Sequence, residues 1–230
     1  MHKLNEHDVE YAASSVENEL ILLVRKGLVR RVYGLLFLQM CLTGGVVAAA
    51  TTTPAVQQLF MTPVFYISCS VASIAAVCAT PCLAHKWPWN MVLLFGATLA
   101  LSVPVAAAAS VAPPKCVLVA LGATAIAFGA AGSFVACFPM RMPGACGEWL
   151  LLATFASIPV ALVQIWIPIQ GIVWAWAGIV LFLAWIVYDL NTLHTHASVD
   201  DAVTMALHLY LDVINLFLCI LNITGGSNQD

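Results

Sequence analysis

The chain has 230 residues, of which 62% are hydrophobic and only 8% charged, and its net charge is −3 with the histidines neutral. Ordinary soluble domains carry roughly 25% charged residues, and a mean hydropathy of +0.97 leaves too little polar surface to clothe a soluble globule. Disorder, collagen and coiled coil fail on the same composition, so an all-α, polytopic membrane protein with room for about seven spanning helices is left. No basic surface suggests nucleic acid.

In chain order, the first ~30 residues are polar and mixed in charge, without the basic, apolar and small-residue regions of a signal peptide. They predict a short, poorly ordered tail with one amphipathic turn around residues 18–24. Apolar runs follow at about 32–53, 63–84, 89–111, 116–138, 149–167, 170–193 and 202–223. Each is near the ~20 residues that cross a bilayer as a helix, and backbone groups in lipid must be satisfied within such helices. The domain reading is a cytosolic tail over 1–30, a seven-helix transmembrane domain over 31–224 and a short tail over 225–230.

Punctuation between the runs agrees: Thr53-Pro54, Trp87-Pro88, Pro113-Pro114-Lys115 and residues 139–147. Residues 167–171 read as a tight turn, with a re-entrant segment as the alternative. Pro81, Pro104 and Pro159 fall within or near the ends of runs, where a bundle tolerates them. Ala125, Gly129 and Ser133, four apart, predict close helix packing. The eight cysteines lie mostly in apolar runs, and their spacing suggests neither a disulfide framework nor a zinc site. Asn222-Ile223-Thr224 fits a glycosylation sequon but falls at a span's end and reads as chance.

Orientation follows from the Lys/Arg bias. A cytosolic N-terminus places Lys3, Arg25, Lys26, Arg30, Arg31, Lys86 and Arg141 inside and only Lys115 outside.

Acidic groups are scarce in the apolar region. Between residues 32 and 199 there are two, Glu148 and Asp189, and the last run adds Asp212. Glu148, at the mouth of the fifth run, reads as interfacial. A carboxylate at mid-membrane is costly and survives by facing a cavity, finding a partner or staying protonated, so Asp212 is a functional candidate, against a neutral acid serving only as a packing hydrogen bond. Asp201, Met205, His208, Asp212, Asn215, Cys219 and Asn222 form one stripe at helical spacing, with Val203, Leu207, Leu211, Ile214 and Leu218 opposite and expected to face lipid. His208, one turn from Asp212, is placed to share its proton. Counting from the intervening loop, Asp189 and Asp212 are offset by roughly 9 Å along antiparallel helices, or about 5 Å if the sixth helix continues to His196. The sequence permits a pair.

The segment 206–218, Ala-Leu-His-Leu-Tyr-Leu-Asp-Val-Ile-Asn-Leu-Phe-Leu, resembles the most recognisable stretch of the transmembrane Bax inhibitor motif family, especially its lifeguard branch. Tyr188-Asp189 resembles that family's Tyr-Asp at the end of its sixth helix. Arg30-Arg31-Val32-Tyr33-Gly34 with Leu38-Gln39 and Thr43 is similar to its first helix, and Trp87-Pro88-Trp89-Asn90 to its second-to-third junction. The likeness covers about residues 25–223. It implies a compact seven-helix bundle of the Bax inhibitor type, a calcium leak set by pH through two aspartates that share a proton, and a role in calcium homeostasis and suppression of cell death. By position those aspartates are Asp189 and Asp212, with His208, Asn215 and Tyr188 as supporting residues. The resemblance implies no tightly bound cofactor, with calcium as the permeant ion. Its partners would be membrane lipid, calcium, protons and cell-death regulators of the Bcl-2 type. The endoplasmic reticulum or Golgi membrane is the favoured location.

Physically, two carboxylates a few ångströms apart in low dielectric do not both ionise cheaply, so such a pair titrates as a unit. One shared proton would tie the sixth helix to the seventh; its loss would favour separation, hydration or capture of a cation. Calcium takes six to eight oxygen ligands, so Asp189, Asp212, Asn215, a carbonyl and waters would make a weak site suited to a leak. A non-conducting scaffold acting through protein contacts is the main alternative. An intramembrane aspartyl protease fits poorly: Tyr188-Asp189-Leu190 resembles its first motif, but Tyr210-Leu211 precede Asp212 where that class needs Gly-x-Gly. A non-enzyme is expected. No lysine in the last run suits a retinal receptor, no His-Glu-x-x-His is present, and no internal repeat suggests a transporter.

Overall fold

The computed structural model describes residues 6–83, 86–138, 142–163, 171–195 and 201–226. Among them there is no strand. The elements are α1 (Glu6–Thr52), α2 (Pro54–Met61), α3 (Pro63–Leu83), α4 (Trp89–Val111), α5 (Pro114–Cys137), α6 (Ala145–Val163), α7 (Gly171–Thr195) and α8 (Ala202–Gly226). Each of the seven apolar runs is helical over nearly all of its described residues, and the all-α polytopic membrane class holds. Among the described residues six helices are long and apolar enough to cross a bilayer. The turn or re-entrant segment at 167–171 falls almost wholly outside the described residues.

Two expectations about local structure are corrected. The N-terminal tail is not a loop: α1 is continuous from Glu6, because residues 6–26 contain no glycine or proline and are rich in Glu, Ala and Leu, all good helix formers. The extension is tied down where the Arg25 Nη2 donates to the Thr195 carbonyl at 3.1 Å. That carbonyl belongs to the last residue of α7, where a cation complements the orphan acceptors and the helix dipole. The Thr53-Pro54 break starts a further short helix, α2, with proline at its first position, where its missing N–H costs nothing.

α8 is the central helix. It packs against α7, α5, α1 and α4, and Leu207, Leu209, Tyr210, Ile214 and Leu216 are all buried. The expectation that its aliphatic face meets lipid is therefore wrong: the bundle encloses both faces, and the lipid-facing surface is supplied by outer helices through residues such as Val71, Ile126 and Phe155. Ala125, Gly129 and Ser133 also turn outward, exposed, and a Cβ at Gly129 would meet nothing within 4 Å. The close approach they predicted occurs instead at Gly178 of α7, where a Cβ would lie 2.5 Å from the Cys219 Sγ of α8. Gly178→Val is expected to destabilise the bundle by about 1–3 kcal/mol through overpacking, and Cys219→Ala in the same chain to recover much of that. Thermal unfolding of the two variants in detergent checks it.

Candidate functional site

α7 and α8 are consecutive, antiparallel and closely packed. α7 continues to Thr195, so Asp189 stands six residues before its end, level with His208, six residues after the start of α8. The register is read directly in the side chains: His208 Nδ1 lies 3.9 Å from Asp189 Oδ2. His208 therefore faces Asp189, with its side chain half exposed (46%), while Asp189 itself is 5% exposed at the side chain.

Asp212 lies one turn deeper on the same stripe and is buried. The difference from the level of Asp189 is four residues, about 6 Å of helix rise. Asp212 Oδ2 is enclosed and meets no hydrogen-bond donor. Asn215, three residues further along α8, is half-buried. Asp189, Asp212 and Asn215 are thus carried by the two helices that pack most closely. Among the described residues no three His, Cys, Asp or Glu side chains converge as a metal cluster would require, so an oxygen site for a cation would need carbonyls, amides or water beyond the two acids.

Tyr188 is turned elsewhere. Its hydroxyl presses on Gly147 of α6, where a Cβ would lie 2.5 Å away, and its ring meets Trp185 edge-on at 5.8 Å. Trp185 Nε1 in turn donates to Thr154 Oγ1 of α6 at 3.0 Å. Tyr188 fastens α6 to α7. Glu148 is exposed in the first turn of α6, as an interfacial acid should be.

The match with known proteins is decisive for kinship. Residues 25–229 match the family described as inhibitor of apoptosis-promoting Bax1. The chain belongs to the Bax inhibitor family. Among similar proteins is the Golgi anti-apoptotic protein of Vaccinia virus (strain Lister), 29% identical over 209 residues that cover 90% of this chain and 88% of the relative. Protein lifeguard 4 of Mus musculus is 29% identical over 223 residues, covering 90% of this chain and 87% of its own. Protein lifeguard 3 of Homo sapiens is 25% identical over 221 residues, 89% and 70%.

What residue-by-residue reading of this Bax inhibitor family member missed is a buried polar chain that joins α1, α4 and α8. Gln39 Nε2 of α1 donates to Thr98 Oγ1 of α4 at 2.9 Å. Ser102 Oγ of α4 lies 3.0 Å from Thr43 Oγ1 of α1 as a donor, and Thr43 Oγ1 is 2.7 Å from the Tyr210 hydroxyl of α8. These five side chains are buried and stitch three helices together. Gln39 and Thr43 carried part of the family resemblance, but nothing in the sequence joined them to Tyr210.

Proposed function

We propose that this chain is a multi-pass membrane protein that suppresses cell death, and that it does so as a pH-sensitive calcium leak governed by Asp189 and Asp212. The observation that carries the reading is a pair of buried acids on adjacent helices, one facing a half-exposed histidine and the other with an oxygen that no donor meets. An unsatisfied buried oxygen is costly; among the described residues Gln39 Oε1, Asn191 Oδ1 and Asp212 Oδ2 are so placed, and of these Asp212 alone is ionisable, which fits a group kept for what its charge does. With one proton held by the pair, the two acids carry at most one charge and α7 and α8 stay packed. Loss of that proton leaves two like charges, whose repulsion in a low dielectric favours parting of the helices, entry of water and weak capture of a cation.

The cell-death role is supported by the family description and by the viral relative's name. That name also favours the Golgi over other internal membranes, with the endoplasmic reticulum as the second site. The Lys/Arg bias supports a cytosolic N-terminus. Calcium and protons are the small partners of this reading, and Bcl-2-type regulators the macromolecular ones.

The test is the purified chain in liposomes holding a calcium dye. Flux is expected to rise with pH as the shared proton is lost, and Asp189→Asn and Asp212→Asn are each expected to flatten that response, since one fixed neutral partner removes the like-charge state. Equal leak from wild type and both variants at every pH would overturn the mechanism. Absent flux, with cell protection surviving both substitutions, would favour a non-conducting scaffold.

A further inference from the structure

α1 and α5 do not pack along one another; they meet where the Tyr33 and Phe128 rings touch edge-on, centroids 6.3 Å apart. Between them lies a cleft of about 1120 Å³, floored by Val213, Ile214 and Phe217 of α8 and by Val105 and Ala109 of α4. We propose that this cleft is a binding site for the acyl chain of a bilayer phospholipid. The inference rests on the membrane-spanning fold and is independent of the calcium reading.

Four observations lead there. The cleft is lined mostly by α1, α4, α5 and α8, each long and apolar enough to cross a bilayer, and its lining residues Phe37 and Leu118 are exposed, so in a membrane-spanning fold hydrocarbon bathes it. Its lining on α1 runs from Tyr33 to Thr51, about 27 Å of helix rise, against a hydrocarbon core of about 30 Å; its long axis follows the direction in which a lipid tail lies.

The lining is chemically apolar even where its side chains are polar. It contains no charged residue. Thr51 Oγ1 donates to the Val47 and Ala48 carbonyls, Ser110 Oγ to the Ala107 carbonyl and Thr124 Oγ1 to the Ala120 carbonyl. Thr43 is engaged with Tyr210 and the Gln57 amide with the Ser110 carbonyl. Water or an ion would find few open partners, whereas a methylene chain needs none.

The size selects among apolar occupants. About 1120 Å³ is near the upper end of small-ligand sites, which run to about 1,000 Å³, and an extended acyl chain is much thinner than the roughly 10–12 Å of a helix with its side chains.

The test uses the full chain in liposomes of phosphatidylcholine doped with a phosphatidylcholine bearing a photoreactive diazirine on its acyl chain. After irradiation, labelled peptides are mapped by mass spectrometry. Labelling is expected to concentrate on cleft residues such as Met40, Leu121 and Phe217 and to be far weaker on Val71 and Ile126, which are exposed outside it. Gly44 lines the cleft, and a Cβ there would meet nothing within 4 Å, so the ring of Gly44→Phe starts from open space within the cleft and is expected to reduce the Leu121 and Phe217 labelling. Gly129→Phe, equally unobstructed but outside the cleft, is expected to leave it intact. Should Gly44→Phe fail to yield a monodisperse protein, Ala48→Leu, also exposed within the lining, takes its place. Uniform labelling around the bundle, or unchanged labelling in the filled variant, would each overturn the assignment.

Discussion

Tyr210→Ala is expected to be the most destabilising single substitution in this bundle, by about 3–5 kcal/mol, the range for truncating a large buried aromatic side chain. Tyr210 is fully buried on the central helix and is the largest of the fully buried side chains. Its loss opens a cavity where α1, α4 and α8 meet, and it also strips Thr43 of the hydroxyl 2.7 Å away. The two contributions separate in Tyr210→Phe, which keeps the ring and removes only the hydrogen bond, at about 0.5–1.5 kcal/mol. Thr43→Val removes the same bond from the other side. If the network is the cause, Tyr210→Phe combined with Thr43→Val costs less than the sum of the single changes, with a coupling of about 0.5 kcal/mol or more. Thermal or denaturant unfolding in one detergent measures all four proteins. A Tyr210→Ala variant as stable as wild type would show that the three helices are held by something other than this junction.

The bilayer made much of the fold readable in advance. A helix in lipid must be apolar for about 20 residues because no water is there to satisfy a stray carbonyl, so α3, α4, α5, α7 and α8 begin or end within a few residues of the runs that announced them. That constraint vanishes outside the hydrocarbon, and the errors lie there: the extension of α1 back to Glu6 and the eight-residue α2 are governed by local propensity and capping, which a hydropathy profile does not see. Asp189 and Asp212 stood out because a carboxyl group in an apolar run is rare and costly. The Gln39, Thr98, Ser102, Thr43 and Tyr210 chain did not. A Ser or Thr in a membrane helix satisfies itself on a carbonyl one turn back, as Thr80 and Ser68 do, and a cross-helix role differs from that only through contacts 59 and 167 residues apart in sequence. Likewise the pairing of Asp189 with His208 depends on where α7 ends, and the two-residue uncertainty of a helix end is half a turn, enough to exchange one neighbour for another.

Asp212→Leu is expected to raise stability while abolishing the pH response of calcium flux. The wild-type carboxyl group is buried with Oδ2 lacking any donor, a condition that costs about 1–3 kcal/mol. Leucine removes the orphan oxygen, suits a helix interior and stands on a helix whose Leu209, Val213 and Leu216 are likewise buried. The gain is thus expected at about 1–3 kcal/mol, read as a higher unfolding temperature in detergent. Asp212→Asn is the control: it keeps the shape and an uncompensated polar group, so flux loses its pH dependence with little change in stability. The two readouts divide the possible roles of the acid. A residue retained for ion passage is a local liability, and removing it trades function for stability; a residue retained as a packing hydrogen bond would give the opposite sign, with Asp212→Leu less stable than wild type. Stability up and pH response gone supports the leak; stability down with flux unchanged makes Asp212 a strut, and the like-charge mechanism then has no second charge.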